Sequence, residues 1–386
     1  MTFFIKKLSL TQFRNYTSSR IQCDAPSVVL TGPNGAGKTN ILEAVSLLSP
    51  GRGLRRAHLD NLKNKNAPPF EYWAISSTLM TPTGALQIGT GQKTDQNPSS
   101  KNGSHKSRVI RIDGIDQKSQ ASLGEVSAMV WLIPQMDGLF ISAPTHRRRF
   151  LDQMVRNFDP QHTTRLNTYT KLLRERSQIL KSNRNSYDKT WVSGLEQQIA
   201  EQGIAIAAHR HSFCERLMQA IDRIDIHDDQ FPKPRINIQS KIDDYLKTHS
   251  AAESEDFFKH CLEQSREADS FTGGAAEGPH KSDLQVYHNA LNMAAGDCST
   301  GEQKGLLIRI ILAQASLIKA ERGFPPLLLL DDIAAFIDQN RRHILFQAIL
   351  GLNCQCWMTG TNPEDFSSLM TQAQFFQVSD GTILSS

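Results

Sequence analysis

Residues 32–39 read Gly32-Pro33-Asn34-Gly35-Ala36-Gly37-Lys38-Thr39, a full match to the phosphate-loop pattern G-x-x-x-x-G-K-[ST]. The stretch follows a short apolar run at residues 27–30 and precedes apolar residues at helical spacing, Ile41, Val45 and Leu48. A strand, a glycine loop and a helix is the arrangement in which backbone N–H groups surround an anion. The sequence therefore predicts a nucleoside triphosphate site. Its expected phosphate contacts are Gly32, Asn34, Gly35, Ala36, Gly37, Lys38, Thr39 and Asn40, and Thr39 is also an expected Mg²⁺ ligand.

A second motif, Leu327-Leu328-Leu329-Leu330-Asp331-Asp332, predicts the other half of this site. An aspartate at the end of a buried strand can hold Mg²⁺ beside the phosphates, so Asp331 is the expected metal residue. The next carboxylate, Asp332, is placed to act as the general base on the attacking water. Asp331 stands 293 positions after Lys38, more than a compact phosphate-loop domain contains. The residues between must be inserted between two lobes of one ATPase.

The middle of the chain is predicted to be helical. Leu166, Tyr169, Leu173, Arg176 and Leu180 step by three and four residues, and a second seam runs from Leu195 to Ile224. The polar turn at 182–186 predicts an antiparallel hairpin; two ordinary helices packed on a core are the alternative. We therefore expect an α/β fold in which both chain ends form one head around an inserted helical arm. The expected segments are 1–150, 151–275 and 276–386.

Composition sets limits on the class of protein. The net charge of +4 over 386 residues neither demands nor excludes nucleic acid. No apolar run approaches the roughly 20 residues that span a bilayer, and the N-terminus lacks the long apolar core of a signal peptide, so a cytoplasmic protein without membrane contact is expected. The six cysteines are scattered without metal-site spacing. Reduced thiols are expected, with neither a metal cage nor a disulfide framework.

The segment Cys298-Ser299-Thr300-Gly301-Glu302-Gln303-Lys304 lies before the second motif, at the start of a predicted helix. A serine and a glycine at a helix N-terminus suit an anion. The segment resembles the signature motif of the ABC ATPase superfamily, in which one subunit's signature closes over the nucleotide of the other. The resemblance implies an ATP-dependent homodimer with Ser299 and Gly301 at the partner's nucleotide. The alternative is an ordinary helix cap, with Ser299 and Glu302 as a capping box.

Further segments resemble the RecF family of bacterial recombination and gap-repair ATPases over nearly the whole chain. They are Leu8 to Tyr16, Gly51 to Arg55, Pro134 to Asp152 and Gly278 to Leu284. The resemblance implies an ATP-dependent protein that binds single-stranded and linear or gapped duplex DNA in replication and recombinational gap repair. It also implies recombinase loading with the RecO and RecR mediators and a role in the SOS response. ATP would drive dimerisation, and a weak, DNA-stimulated ATPase activity would serve as a switch for release.

The chain departs from the family pattern at several positions. Gln135 stands where an acidic residue is usual, and it is expected to sense Mg²⁺ and the attacking water, as a glutamine does in ABC ATPases. The segment Trp357 to Thr361 has no histidine to grip the γ-phosphate, so slow hydrolysis is expected. The other departures are Ser142, Ser282, Cys298 and Phe336.

The predicted DNA contacts rest on clustered basic residues. They are Arg147, Arg148 and Arg149, Arg55 and Arg56 with Arg52, and the loop lysines Lys93, Lys101 and Lys106. Each cluster can equally be a solvated face, and the arginines at 147–149 can instead pair with carboxylates. No groove-reading helix stands out, so backbone binding without sequence preference is expected.

Three other classes share some of these motifs. A transporter ATPase subunit, the main alternative, carries its signature much closer to the phosphate loop than Gly301, which is 263 positions after Lys38. An SMC-type or long-armed break-repair ATPase needs far longer coiled coils. A nuclease with an ABC head needs a separate carboxylate cluster, which the sequence lacks.

Overall fold

The computed structural model describes residues 3–24, 27–92, 107–182, 187–226 and 230–385. Within them the strands are β1 (Phe4–Phe13), β2 (Tyr16–Gln22), β3 (Ser27–Thr31), β4 (Ala74–Thr81), β5 (Gly84–Gln92), β6 (Arg108–Ile112), β7 (Ile115–Asp116), β8 (Met129–Leu132), β9 (Pro234–Gln239), β10 (Asp283–His288), β11 (Met293–Ala294), β12 (Leu327–Leu330), β13 (Cys356–Gly360), β14 (Ala373–Ser379) and β15 (Thr382–Ser385). The α-helices are α1 (Lys38–Ser46), α2 (Ala121–Val126), α3 (Pro144–Val155), α4 (His162–Ser182), α5 (Lys189–Arg223), α6 (Lys241–Leu246), α7 (Ala251–Gln264), α8 (Arg266–Thr272), α9 (Thr300–Arg322), α10 (Ile333–Phe336) and α11 (Gln339–Leu352).

The chain divides into two compact units. Unit 1 combines Met1–Asp137, Ile226–Phe231 and Leu307–Ser386, and unit 2 combines Gly138–Asp225 with Pro232–Leu306. Both chain ends thus contribute to unit 1, which confirms the α/β head built from the two ends. The expected segments 1–150, 151–275 and 276–386 stay a prediction.

Unit 1 contains two sheets. One is antiparallel, in the order β2-β1-β4-β5-β6-β7, and the other has the order β15-β14-β3-β13-β12-β8. In the second sheet every pair is parallel except β14 with β15. All residues of β3, β8, β12 and β13 are buried, as expected for parallel strands covered on both faces. Their carboxyl ends meet at one edge, which brings the two sequence motifs together.

Unit 2 contains the predicted antiparallel helix pair. The Arg176 guanidinium of α4 binds Glu196 of α5 at 2.9 Å, and a Cβ on Gly203 would lie 3.2 Å from the Tyr169 ring, so the two helices run in opposite directions. The turn residues 183–186 lie outside the described residues. The pair does not stand alone, because Phe258 and Leu262 of α7 share its buried core. The antiparallel direction of the two helices is as expected, and their packing on a core is the alternative that the sequence left open.

A three-stranded sheet, in the order β11-β10-β9, was not predicted. In β10, Leu284, Val286 and His288 are buried and alternate with half-buried residues. This period of two was a readable strand signal. The segment Gly278 to Leu284, which was interpreted only for its resemblance to a family, overlaps the start of β10.

Candidate functional site: a nucleotide pocket

The phosphate loop connects β3 to α1 and depends on three left-handed glycines. Gly32, Gly35 and Gly37 have φ angles of 147°, 86° and 111°. A Cβ on Gly32 would stand 2.1 Å from the carbonyl oxygen of Val378, so no side chain fits there. The loop therefore needs glycine for its backbone conformation and, at Gly32, for its close packing on β14.

Two neighbouring side chains brace this loop, Asn15 in the turn between β1 and β2 and Tyr16 at the start of β2. The Asn15 amide donates to the Ala36 carbonyl at 3.0 Å, and the Tyr16 hydroxyl donates to the Gly37 carbonyl at 3.0 Å. Asn40 donates from its own amide to Asn15 Oδ1 at 2.8 Å. This bracing role was not predicted, although Asn15 and Tyr16 end the first segment that resembles the family.

Lys38 lies over the loop. Its ammonium donates to the carbonyl oxygens of Gly32 at 2.7 Å and Pro33 at 2.9 Å. Burial lowers the pKa of Lys38, while the nearby carboxylates of Asp332 and Asp331 act in the opposite direction. A cation held by weak carbonyl acceptors is well placed to exchange them for a phosphate.

The two expected metal residues meet at the carboxyl edge of the sheet. Asp331 Oδ1 accepts hydrogen bonds from the Thr39 and Thr359 hydroxyls, both at 2.8 Å. Burial raises the pKa of Asp331, and these two hydrogen bonds oppose that rise. A hydroxyl oxygen and a carboxylate oxygen this close are hard ligands that fit Mg²⁺, which takes one or two protein oxygens beside phosphate and water.

A cavity of about 440 Å³ joins these residues with the predicted catalytic pair. Asp332 has a left-handed backbone (φ 51°), and its N–H donates to the Thr359 hydroxyl at 2.7 Å. Gln135 lies in a short helical turn after β8 and is exposed. The cavity lining comprises Asn34, Gly35, Gly37, Lys38, Thr39, Asn40, Arg55, Pro134, Gln135, Asp331, Asp332 and Thr359.

Arg55 belongs to this pocket as well. Its guanidinium donates to Asn40 Oδ1 at 2.8 Å and approaches the buried Glu43 carboxylate at 4.0 Å. Glu43 is held from the other side by Arg14, through two bonds of 2.7 Å. Arg55 was predicted as a DNA contact, and the structure places it beside the phosphate loop. Arg56 is exposed and has a φ of 55°.

The signature residues lie in unit 2. Ser299 Oγ bonds the Glu302 carboxylate at 2.7 Å, and the Glu302 N–H bonds Ser299 Oγ at 3.3 Å. The Ser299 N–H donates to Glu302 at 2.8 Å, so the capping box considered in the sequence is present. Gly301 follows in the first turn of α9.

The arginines at 147–149 lie on α3 and differ in environment. Arg147 binds both Asp283 oxygens at 2.8 Å, and Arg148 donates to the Ser282 carbonyl at 2.7 Å. Arg149 is exposed. The structure therefore places Arg147 and Arg148 in contacts with the start of β10, the alternative that the sequence left open. Lys93, Lys101 and Lys106 and the side chain of Phe336 lie outside the described residues.

The remaining expectations concern metals and membranes. All six cysteines are buried and free of disulfides. Among the described residues, no group of three or more His, Cys, Asp or Glu side chains has a metal-binding arrangement. Over the same part of the chain, none of the helices combines the length and the apolar character that a membrane crossing requires.

Comparison with known proteins identifies the family of the chain. The model of the RecF/RecN/SMC N terminal domain matches residues 4–383. The DNA replication and repair protein RecF of Allorhizobium ampelinum is 42% identical over 378 residues, covering 98% of each chain. The RecF of Mesorhizobium japonicum is 41% identical over 379 residues, covering 98% of this chain and 97% of that one.

Solved structures share the fold. A structure of the recombination mediator protein RecF-ATPrS in the RecFOR pathway has a TM-score of 0.86 at 22% identity, covering 100% of this chain and 98% of that one. An Smc head domain of Pyrococcus furiosus has a TM-score of 0.51 at 15% identity, covering 100% and 96%. With the full-length relatives at about 40% identity, these findings place the chain: it belongs to the RecF family of DNA replication and repair proteins.

Proposed function

We propose that the chain is an ATP-dependent DNA-binding switch for replication and recombinational gap repair. The single observation that carries this is the pocket in which the phosphate loop, Asp331 and Asp332 meet at one sheet edge, in a chain with RecF relatives over its full length. A cytoplasmic location follows from that role.

In the proposed mechanism, the loop N–H groups and the Lys38 ammonium bind the β- and γ-phosphates of ATP. Thr39 and Asp331 would hold Mg²⁺, which neutralises charge on the phosphate oxygens when bound. Asp332 accepts the proton of the attacking water, and Gln135 orients that water. Thr359 donates to Asp331 in a strand that carries no histidine for the γ-phosphate, which favours slow turnover.

The switch itself is a change of oligomeric state. ATP held by Lys38 of one subunit would be covered by Ser299 and Gly301 of a second copy, and hydrolysis would separate the two. In this structure the Ser299 hydroxyl, the Ser299 N–H and the Glu302 N–H all take part in the capping box, so covering the second copy's nucleotide requires the Glu302 carboxylate to release Ser299.

The dimer would hold single-stranded or gapped duplex DNA through phosphate contacts, with Arg149, Arg56 and the loop lysines as candidates. Three further arginines would have to release their present partners before they could contact DNA. They are Arg147, which binds Asp283, Arg148, which binds the Ser282 carbonyl, and Arg55, which binds Asn40. Recombinase loading with RecO and RecR and support of the SOS response complete the proposed role.

The test is Lys38→Met, compared with Lys65→Met, an exposed lysine outside the pocket. Sedimentation with ATP, ADP or no nucleotide, on gapped and intact DNA, should show an ATP-specific dimer that retains gapped DNA for the parent and for Lys65→Met. Lys38→Met should stay monomeric and lose that retention. Unchanged ATP-dependent DNA retention by Lys38→Met would overturn the proposal.

A further inference from the structure

The helix α4 of unit 2 carries an unusual distribution of charge. It contains five Lys and Arg residues and one acidic residue, Glu175. Two of the arginines are used internally: Arg165 pairs with Asp159, and the buried Arg176 pairs with Glu196 and Asp269. The other three cations are exposed.

These three cations share one face of the helix. Lys171, Arg174 and Lys181, with Gln178 between them, are exposed, and the buried positions Tyr169, Leu172, Arg176 and Leu180 lie on the opposite face. We call Lys171, Arg174, Gln178 and Lys181 the α4 stripe. At 1.5 Å per residue its cations extend over about 15 Å of helix. They form no ion pair with any residue that the structure describes.

The stripe is not a general feature of unit 2. The helix α7 contains one lysine and four acidic residues, Glu253, Glu255, Asp256 and Glu263. Acidic side chains are therefore concentrated on α7 and basic side chains on α4. A solvated helix face usually mixes both signs, with acidic and basic residues at spacings of three and four. A segregated stripe instead presents a field that attracts a polyanion.

An exposed aromatic side chain lies at the same end of the hairpin. Continuing the antiparallel pairing of Tyr169 with Gly203 and Arg176 with Glu196 sets Lys181 opposite Trp191. Trp191 is 58% exposed, whereas the other three tryptophans of the chain, Trp73, Trp131 and Trp357, are at most 5% exposed. An indole in water has no packing reason to be there, but its face can stack on an unpaired base.

We propose that the α4 stripe and Trp191 form a binding surface for single-stranded DNA. The cations contact successive phosphates, Gln178 adds a hydrogen bond to the backbone, and Trp191 stacks on an unpaired base near the hairpin end. A single strand is favoured over a duplex because only unpaired bases expose the face that stacking requires. This inference rests on the proposed function, which it extends by locating one DNA contact.

The first test removes the charges. Lys171→Gln with Arg174→Gln and Lys181→Gln should weaken binding to a single-stranded oligonucleotide about 10- to 100-fold. It should also reduce the slope of log K against log salt by about two, since each contact contributes about 0.7. The matched control is Lys6→Gln with Arg20→Gln and Lys65→Gln, which removes the same charge from exposed positions of unit 1 and should change affinity less than about threefold.

The second test concerns Trp191. Trp191→Ala should weaken single-strand binding about tenfold and leave binding to a duplex of equal length within about twofold. Single-stranded DNA should quench the protein's exposed tryptophan fluorescence, and Trp191→Phe should abolish that quenching.

Several outcomes would overturn this inference. They are a charge variant that binds like its control, a salt slope that does not change, or equal losses on single strand and duplex for Trp191→Ala. Each variant must bind ATP like the parent, which shows that it is folded. If the parent protein binds no DNA in any nucleotide state, both this inference and the proposed function are wrong. If the parent binds DNA but the α4 stripe and Trp191 variants bind it equally well, this inference is wrong and the proposed function stands.

Discussion

Gly37 shows how closely the phosphate loop is built against the turn between β1 and β2. Its φ of 111° lies in the region that glycine favours, and a Cβ there would stand 2.4 Å from the Asn15 amide and 2.8 Å from the Tyr16 hydroxyl. Both atoms already hydrogen-bond the loop. A side chain at position 37 would therefore disturb both the backbone conformation of the loop and the hydrogen bonds that brace it.

We expect Gly37→Ala to destabilise the protein by about 2 kcal/mol or more and to weaken ATP binding over tenfold, since backbone strain of this kind alone costs about 1–3 kcal/mol. Urea unfolding and nucleotide titration measure both. Gly351→Ala in α11 is the control: nothing lies within 4 Å of its Cβ position, so stability should stay equal or rise slightly. An alanine at position 37 that binds ATP normally would contradict the strained-loop argument.

His280 provides a pH-dependent contribution at the same scale. Burial lowers the pKa of His280 to about 4 from the usual 6.5. Its Nε2 faces the Ala275 carbonyl at 3.0 Å and must donate, so Nδ1 accepts from the Tyr169 hydroxyl at 2.7 Å. Protonating Nδ1 would remove that acceptor. The folded state therefore favours the neutral ring.

The sign follows from proton uptake. Between pH 6.5 and about 4 the unfolded chain binds a proton that the folded chain does not, so stability is complete above pH 6.5 and falls as pH falls. We expect the unfolding free energy to lose up to about 1.4 kcal/mol per pH unit in this window through His280. Urea unfolding at pH 7 and pH 5 should show a smaller loss for His280→Gln. Equal losses for both proteins would exclude His280 as the source.

At the scale of elements, unit 2 is held together partly by buried charge. Arg176 of α4 reaches Glu196 of α5 at 2.9 Å, Asp269 of α8 at 2.7 Å and the Leu262 carbonyl of α7 at 2.6 Å. One side chain thus joins four helices. Glu196 also pairs with Arg266.

We expect Arg176→Met to cost about 3–5 kcal/mol of unfolding free energy, because it leaves buried carboxylates without their main partner. Arg174→Met, two positions away and exposed, should leave stability nearly unchanged. Chemical unfolding followed by circular dichroism measures the difference. A similar, small effect of both substitutions would show that the cluster contributes little.

At the scale of the whole molecule, the proposed dimer covers the nucleotide of one copy with Ser299 and Gly301 of the other. We expect Gly301→Asp to bind ATP like the parent, because its own nucleotide lies with Lys38, but to remain monomeric, because the new carboxylate would face the partner's phosphates. Sedimentation with ATP measures dimerisation, and a separate nucleotide titration measures ATP binding. Loss of ATP binding in this variant, or a normal ATP-dependent dimer, would argue against a shared site.

Local patterns predicted much of this molecule. The glycine loop and the apolar run before Asp331 each carry their structure in adjacent residues, because backbone conformation and burial follow short-range patterns. The predicted α4–α5 pair follows from its heptad-like spacing for the same reason. The strand β10 carried such a signal too, and it was missed.

Other features depend on residues that are far apart in the chain and became visible only in three dimensions. Asn15 and Tyr16 brace Gly37, Arg55 lies by the phosphate loop, and Arg147 is neutralised by Asp283, 136 positions away. Side-chain charge in a sequence does not say which partner satisfies it. The phosphate loop could be predicted from the sequence because its anion-binding groups are backbone N–H groups of consecutive residues. The partners of Arg55 and Arg147 could not be predicted, because packing between distant segments decides them.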